Sequence, residues 1–244
     1  ANPYYPYYYG GAFDKAKWKE DMSPRLAANP ELVLNPTEEI NWYFNDQRRR
    51  FPGYLEKELE PLSKQEHGPM GKNVESVVCL AVAGHQESAN IYRTLETYRI
   101  QQGKDGKSVW DGDNSKHEIF VYVNWPQGKD PSKTFEEINR FKKEHPEVLI
   151  RVYSEEITNN KVEVGWYKKK VFDLALKKHA ERNNGKDIIL IANDADMTFA
   201  SPYYLEEATN KMNAPENAKL DAMLGRYDLD PGVYEKYPTF HASI

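Results

Sequence analysis

The chain has 244 residues, of which 39% are hydrophobic and 29% are charged, which is enough for one large domain or for a domain with an appendage. Its net charge of -5 argues against a nucleic-acid binder that acts through a basic surface, and it shows neither a membrane-spanning apolar run nor a signal peptide. The single cysteine, Cys79, excludes a disulfide framework and indicates a reducing compartment, so we expect a cytoplasmic protein.

The first 70 residues differ in pattern from the rest of the chain. Residues 1–12 are rich in Tyr, Pro and Gly and show neither helical nor strand periodicity, which predicts an irregular arm. Residues 13–70 predict a helical extension followed by a polar linker. Within it, Asn35 and Pro36 mark a helix start, because Pro is favoured at the first helical position.

From residue 71 onward, strand-like and helical patterns alternate as they do in an α/β domain. Strands are predicted over 77–83, 117–124, 148–153, 188–192 and 220–226. Helices are predicted over 87–101, 130–145 and 165–182, with a further helix from residue 201. This order predicts a Rossmann-like, mostly parallel sheet with helices on both faces. Ligands of such sheets bind at the carboxyl ends of the strands.

A pair of aspartates follows the predicted strand 188–192. Asp194 and Asp196 are two residues apart, just past a buried apolar run, so both carboxylates can point to one side of a tight turn. Two such carboxylates repel each other unless a cation lies between them, and the usual cation is a divalent metal that also binds a phosphate group. The alternative is an ordinary solvated turn.

Polar residues also lie in the other loops that follow predicted strands. Gly84 allows a close backbone approach, and the helix that follows it offers free N–H groups at its N-terminus. A metal, a helix N-terminus and one or two lysines together suit a diphosphate. The alternatives are a histidine that only caps the helix and lysines on a solvated helix face. The candidate binding residues other than the aspartates are Ala83, Gly84, His85, Glu87, Asn124, Lys168, Lys169 and Asn193.

These motifs resemble the nucleotide-binding half of GT-A-fold glycosyltransferases, close to the large inverting family 2-like group. The resemblance covers about residues 74–228 and is carried by the stretch 77–101, the helix start at 165–173 and Asn193-Asp194-Ala195-Asp196. In that family the first loop contacts the nucleotide base, a cation on the later helix lies near the nucleotide, and D-x-D binds ribose and Mn²⁺ or Mg²⁺.

The resemblance implies a hexosyltransferase that uses Mn²⁺ or Mg²⁺ and a nucleotide-diphospho-sugar donor. Asp196 would bind the metal directly, and Asp194 would help through ribose or water. Asn124 stands where family members usually carry an acidic residue that binds the base, so the choice of nucleotide stays open. The acceptor, whether glycan, lipid or protein, is not indicated by the sequence.

The family's catalytic base lies in an acceptor half downstream of D-x-D. No convincing base follows Asp196; Asp228 and Asp230 are acids near the end of the chain, and His241 is a residue type that can bind metal. We therefore expect the GT-A-like domain, residues 71–244, to be truncated at its C-terminus. Such a chain would bind donor but transfer sugar slowly, with donor hydrolysis as its main residual activity.

Two other functions are compatible with the same motif. Residues 194–198 match the D-x-D-x-T nucleophile motif of haloacid-dehalogenase-type phosphatases, in which Asp194 would attack the phosphate, but that motif usually opens its fold and here lies late in the chain. A GT-A-like domain that binds a nucleotide sugar or a partner without catalysis would carry D-x-D and lack the base.

Overall fold

The computed structural model describes residues 8–9, 12–13, 36–158, 164–197, 200–217 and 222. The last predicted strand, 220–226, falls outside the described residues apart from Ala222, as do Asp228, Asp230 and His241. The chain divides into two compact units, Ala1–Thr209 and Asn210–Ile244. The sheet and the candidate site both belong to the first unit, and so does the helical segment that precedes them.

The described N-terminal residues form a short hairpin and a helical segment. Strand β1 (Tyr8–Tyr9) pairs antiparallel with β2 (Ala12–Phe13), where the sequence predicts an irregular arm. Two residues per strand are too few to show a period, although the Gly-Gly pair between them is a known hairpin connection. Helix α1 (Pro36–Arg50) begins at the predicted proline, and a π-helical turn (Leu55–Leu59) and helix α2 (Glu60–Ser63) follow.

Four parallel strands form the central sheet and confirm the predicted α/β fold class. They are β3 (Ser76–Ala83), β4 (His117–Pro126), β5 (Ile150–Ile157) and β6 (Ile189–Asp194), in the spatial order β5-β4-β3-β6. The central strands β3 and β4 are buried over most of their length, which is why they read as nearly continuous apolar runs.

Helices cover both faces of this sheet. Val78, Leu80 and Val82 of β3 face a core shared with α3 (Ile91–Arg99) and α4 (Ser132–Glu144). Val77 and Cys79, which alternate with them, face a core shared with α5 (Val164–Ala180), the π-helical turn and α2. Helix α6 (Tyr204–Met212) follows β6. The alternation along β3 therefore supplies both cores, as the period of a strand requires.

Cys79 and the inward-facing side chains of two helices lie in the core of the described structure. Burial raises the pKa of the Cys79 thiol, so this cysteine is a core residue without the thiolate character of a nucleophile. Within the described part of the chain, no helix combines the length and the apolar character needed to cross a bilayer. The side chains that face inward from α3 and α5 are fully buried: Ile91, Leu95, Tyr98, Val171, Leu174 and Ala175.

Candidate functional site

The carboxyl ends of β3 and β6 bring two of the predicted loops to one edge of the sheet. The strands are parallel neighbours, with Ala81 opposite Asp194, so residues 83–87 and 194–197 leave the sheet side by side. The chain runs from β3 through β4 to β5 in one direction, and β6 lies on the other side of β3. The carboxyl edge of the sheet at such a reversal of strand order is where α/β sheets usually bind ligands.

Asn193, the residue before the first aspartate, holds the end of β6 against two helices. Its side-chain amide donates hydrogen bonds to the hydroxyl of Tyr98 at 2.7 Å and to that of Tyr204 at 3.3 Å. Tyr98 is fully buried on α3, and burial raises the pKa of its hydroxyl, which therefore stays protonated. Asn193 was predicted to contact the nucleotide, whereas the structure uses its amide to fix the strand end.

Ala195, between the two aspartates, is anchored in the same way. It is buried, and its carbonyl accepts a hydrogen bond of 2.6 Å from the hydroxyl of Thr94 on α3. Asp194 and Asp196 are both exposed. Asn193 is half-buried, and its hydrogen bonds to Tyr98 and Tyr204, together with the buried Ala195, hold the backbone on either side of Asp194 while the two carboxylates stay exposed. The structure thus presents both carboxylates from a backbone that α3 holds in place.

Lys168, near the start of α5, forms an ion pair with the first aspartate. Its Nζ donates to Asp194 Oδ1 at 2.6 Å, and the two side chains are 36% and 55% exposed. The structure therefore brings Lys168 to the D-x-D turn. One carboxylate of the aspartate pair thus already contacts a cation of the chain itself.

The donor atoms at this turn fit the hard divalent cations that the family resemblance implies. Asp194 and Asp196 offer carboxylate oxygens, which Mg²⁺ and Mn²⁺ prefer. Among the described residues, no group of three or more His, Cys, Asp or Glu side chains is placed to hold a metal ion, so the turn offers only its two aspartates. A metal held here would therefore keep coordination positions for water and for phosphate oxygens, as Mg²⁺ sites on nucleotides do.

The loop after β3 is packed more tightly than the sequence indicates. A Cβ atom on Gly84 would lie 2.7 Å from Val123 Cγ1 and 3.0 Å from Pro131 Cβ, so this glycine is required by the protein's own packing. Its amide donates to the Asn124 carbonyl at 2.7 Å. The close backbone approach predicted at Gly84 is therefore made by Val123 and Pro131.

His85 and Glu87 follow Gly84 and differ in their contacts. No side-chain hydrogen bond caps the 3₁₀ turn Glu87–Ala89 or α3, so His85 does not act as the helix cap that the sequence allows. His85 Nδ1 is buried without a hydrogen-bond partner in the described structure. The carboxylate of Glu87 accepts a hydrogen bond from the Asn90 amide at 3.1 Å.

Asn124, the predicted contact to the nucleotide base, is 6% exposed at the end of β4. Its side-chain amide donates to the Val82 carbonyl at 3.1 Å. Asn124 also lies opposite Ala83 in the β3–β4 register. The structure therefore gives Asn124 a role in joining two strand ends, where the sequence predicts an amide that is free to contact a nucleotide base.

Lys169, the next residue after Lys168, is held away from the D-x-D turn. Its Nζ contacts the buried carboxylate of Asp173, one helical turn further along α5. The same ammonium group lies 4.5 Å from the centre of the Tyr54 ring, and the rings of Tyr43, Phe51 and Trp166 are also near it. The structure thus places Lys169 against the N-terminal helical segment. This differs from the prediction that Lys169 binds the nucleotide.

Lys170, the next residue of α5, belongs to a separate and more buried cluster of charged side chains. Its side chain is 3% exposed, and its Nζ lies 2.6 Å from Glu155 of β5 and 2.8 Å from Glu58 of the π-helical turn. The hydroxyl of Tyr122 on β4 donates to the same Glu155 carboxylate at 2.5 Å. Burial and this carboxylate raise the pKa of Tyr122. These contacts fix the start of α5 to the sheet and to the N-terminal segment.

The residues that sequence reasoning missed are those that support the turn. Thr94 and Tyr98 lie on α3, far from the aspartates in sequence, and nothing in the local pattern connects them to Asp194. One signal was readable: Thr94 and Tyr98 are four residues apart and share the face of α3 that buries Ile91 and Leu95. Polar atoms on a buried helix face need partners, and here the partners are in the D-x-D turn.

Comparison of the chain with protein-family models, with curated proteins and with solved structures gives no match. The likeness to GT-A glycosyltransferases therefore depends on the motifs and on where the structure places them.

Proposed function

We propose that this chain binds a nucleotide-diphospho-sugar together with Mn²⁺ or Mg²⁺ and transfers the hexose to an acceptor. One observation carries the proposal. Asp194 and Asp196 are exposed on an anchored turn at the carboxyl end of β6, next to β3, and Lys168 lies 2.6 Å from Asp194. Two outward carboxylates and a lysine at the carboxyl edge of a parallel sheet suit a diphosphate and its metal.

Each of these residues has a distinct task in the proposed reaction. Asp196 binds the metal, Asp194 helps through ribose or water, and Lys168 contributes positive charge toward the diphosphate. The metal, when bound, neutralises charge that develops on the departing diphosphate. Thr94 and Asn193 hold the turn still, so that the carboxylates need no rearrangement when the donor binds. The loop 83–87 follows β3, the strand that pairs with β6, and so leaves the sheet at the same edge as the turn.

A binding panel tests the proposal. UDP-, GDP-, CMP- and dTDP-sugars are added with and without Mn²⁺, and the thermal unfolding midpoint is recorded. We expect at least one nucleotide sugar to raise the midpoint, and only when Mn²⁺ is present. The same nucleotide should fail to stabilise Asp196→Asn. A panel in which no nucleotide sugar stabilises the wild-type protein would contradict the proposal.

Turnover assays separate the transferase from the two rival functions. Release of UDP or GDP from the stabilising donor, measured by chromatography, is expected for the transferase, with water or an added sugar as acceptor. Stabilisation without any release of the nucleotide would favour a binding domain without catalysis. Hydrolysis of p-nitrophenyl phosphate that disappears in Asp194→Asn would favour the phosphatase.

A further inference from the structure

We infer that Lys168 is a counter-ion that the protein itself supplies to the D-x-D turn. As a result, this site binds the complex of metal and diphosphate, and not the free metal. The inference rests on the proposed function and specifies how its two ligands depend on each other. It comes from the ion pair of 2.6 Å between Lys168 Nζ and Asp194 Oδ1. A group that already neutralises a metal-binding carboxylate must compete with the metal.

Coulomb's law gives the size of the loss in metal affinity that the Lys168 ammonium group causes. A divalent ion held by Asp196, with Asp194 helping through water, must either displace the ammonium group from Asp194 or remain near it. By Coulomb's law in water, a divalent ion about 5 Å from an ammonium group loses roughly tenfold in affinity. Both side chains are partly exposed, so the dielectric of water is the appropriate limit. Free metal should therefore bind this turn weakly.

A bound diphosphate removes the competition between the Lys168 ammonium group and the metal. Its negative oxygens give Lys168 an alternative partner, and the flexible four-carbon stem lets the ammonium group move to them without moving the helix. Asp194 is then released for the metal or for the ribose. Because each ligand removes the obstacle to the other, metal and diphosphate should bind with positive coupling, which by linkage is equal in both directions.

The start of α5 is fixed, so this exchange involves the Lys168 side chain alone. Lys169 contacts Asp173, and Lys170 is held between Glu58 and Glu155. These buried contacts on the next two residues prevent the helix from withdrawing as a unit. Lys168 therefore remains within reach of the turn in both states and alternates between the carboxylate and a phosphate.

The test measures binding of Mn²⁺ alone and of pyrophosphate with Mn²⁺, by electron paramagnetic resonance of free Mn²⁺ and by calorimetry. Lys168→Met should bind Mn²⁺ alone about tenfold more tightly than wild type, and it should bind pyrophosphate with Mn²⁺ more weakly. Lys168→Arg keeps the charge and should resemble wild type in its affinity for Mn²⁺ alone. Unchanged Mn²⁺ affinity in Lys168→Met, or unchanged pyrophosphate affinity, would overturn the inference.

Lys177→Met is the matched control. Lys177 lies on the same helix, nine residues further along, and pairs with Glu60 at 2.7 Å, at a similar level of exposure. At about 1.5 Å per residue it is roughly 14 Å from Lys168 along the helix axis. This distance exceeds the Debye length of about 8–10 Å, so salt screens the effect of Lys177 on the turn. Its substitution should leave both affinities as in wild type. A comparable gain of Mn²⁺ affinity in Lys177→Met would show a general charge effect and contradict a specific role for Lys168.

Failure of this inference is distinguishable from failure of the proposed function. If no nucleotide sugar binds to wild type but Lys168→Met still gains affinity for Mn²⁺ alone, the counter-ion role stands and the donor class is wrong. If nucleotide sugars bind with Mn²⁺ and Lys168→Met shows no such gain, the proposed function stands and the counter-ion role is wrong.

Discussion

Two lysines near the start of helix α5 differ in their burial and in the number of carboxylates they contact. Lys168 is 36% exposed and pairs with one exposed carboxylate at the edge of the sheet, whereas Lys170 is 3% exposed and lies between two carboxylates from different segments. An exposed ion pair contributes little to stability, while an ion removed from a buried cluster leaves uncompensated charge. The comparison indicates that the buried side holds the fold and that the exposed side is available to a ligand.

The largest expected effect is on the buried side, at Asp173. Its carboxylate accepts hydrogen bonds from the hydroxyls of Tyr43 at 2.6 Å and Tyr54 at 2.7 Å and contacts Lys169. Asp173→Ala leaves these groups without their acceptor and should lower the free energy of unfolding by about 4 kcal/mol. Urea unfolding followed by tryptophan fluorescence measures the change.

The control for this prediction is an exposed carboxylate with an ordinary ion pair. Asp105 pairs with Lys107 at 3.7 Å on the surface and accepts a hydrogen bond from the Lys107 backbone amide at 3.0 Å, so Asp105→Ala should change stability by less than about 1 kcal/mol. Equal losses in Asp173→Ala and Asp105→Ala would break the comparison, because burial would then have no bearing on the strength of these pairs.

The next largest effect is expected at Lys170. Lys170→Met leaves Glu58 and Glu155 without their cation and should cost about 2 kcal/mol, less than Asp173→Ala because both carboxylates keep some contact with water. Lys168→Met, the matched change two residues earlier, should cost less than about 0.5 kcal/mol. Chemical denaturation of the two variants gives the difference, and a Lys168→Met protein as unstable as Lys170→Met would contradict the division of α5.

Much of the fold can be predicted from the sequence because the central strands are buried on both faces and read as apolar runs. Strand β5 shows where this fails: the sequence predicts its end at Tyr153, but it continues to Ile157. Residues 154–156 are polar, and their strand geometry depends on distant partners. The Gln65 side chain, for example, both donates to and accepts from the Ser154 backbone, at 2.9 and 2.8 Å.

The candidate site could be predicted in part. The spacing of Asp194 and Asp196 after an apolar run is a local signal, and their exposure agrees with it. The roles of Lys168 and Lys169 could have been separated by geometry, because successive residues of a helix point about 100° apart and cannot all face one ligand. The support from Thr94 is a contact across the fold, which a local pattern does not contain.

A smaller effect on stability than that of Lys170→Met is expected at Thr94, a buried residue that anchors the turn contacted by Lys168. Thr94→Val keeps the shape of the side chain but removes the hydrogen bond to the Ala195 carbonyl, at a cost of about 1 kcal/mol. The turn should loosen, and the affinity for Mn²⁺ with the stabilising nucleotide should fall. Thr97→Val is the control, since the Thr97 hydroxyl bonds to Arg93 within α3. Equal nucleotide affinity in the two variants would contradict an anchoring role for Thr94.

Calorimetric titration of UDP and GDP, with and without Mn²⁺, into wild type, Asp196→Asn and Asp187→Asn tests the central claim most directly. Asp187 is an exposed acid just before β6, at the opposite end of the strand, so its variant changes the net charge equally. We predict Mn²⁺-dependent binding by wild type and Asp187→Asn, and a loss of more than about tenfold in Asp196→Asn. Equal Mn²⁺-dependent affinity in all three proteins would contradict the claim that the D-x-D turn holds the metal and its diphosphate.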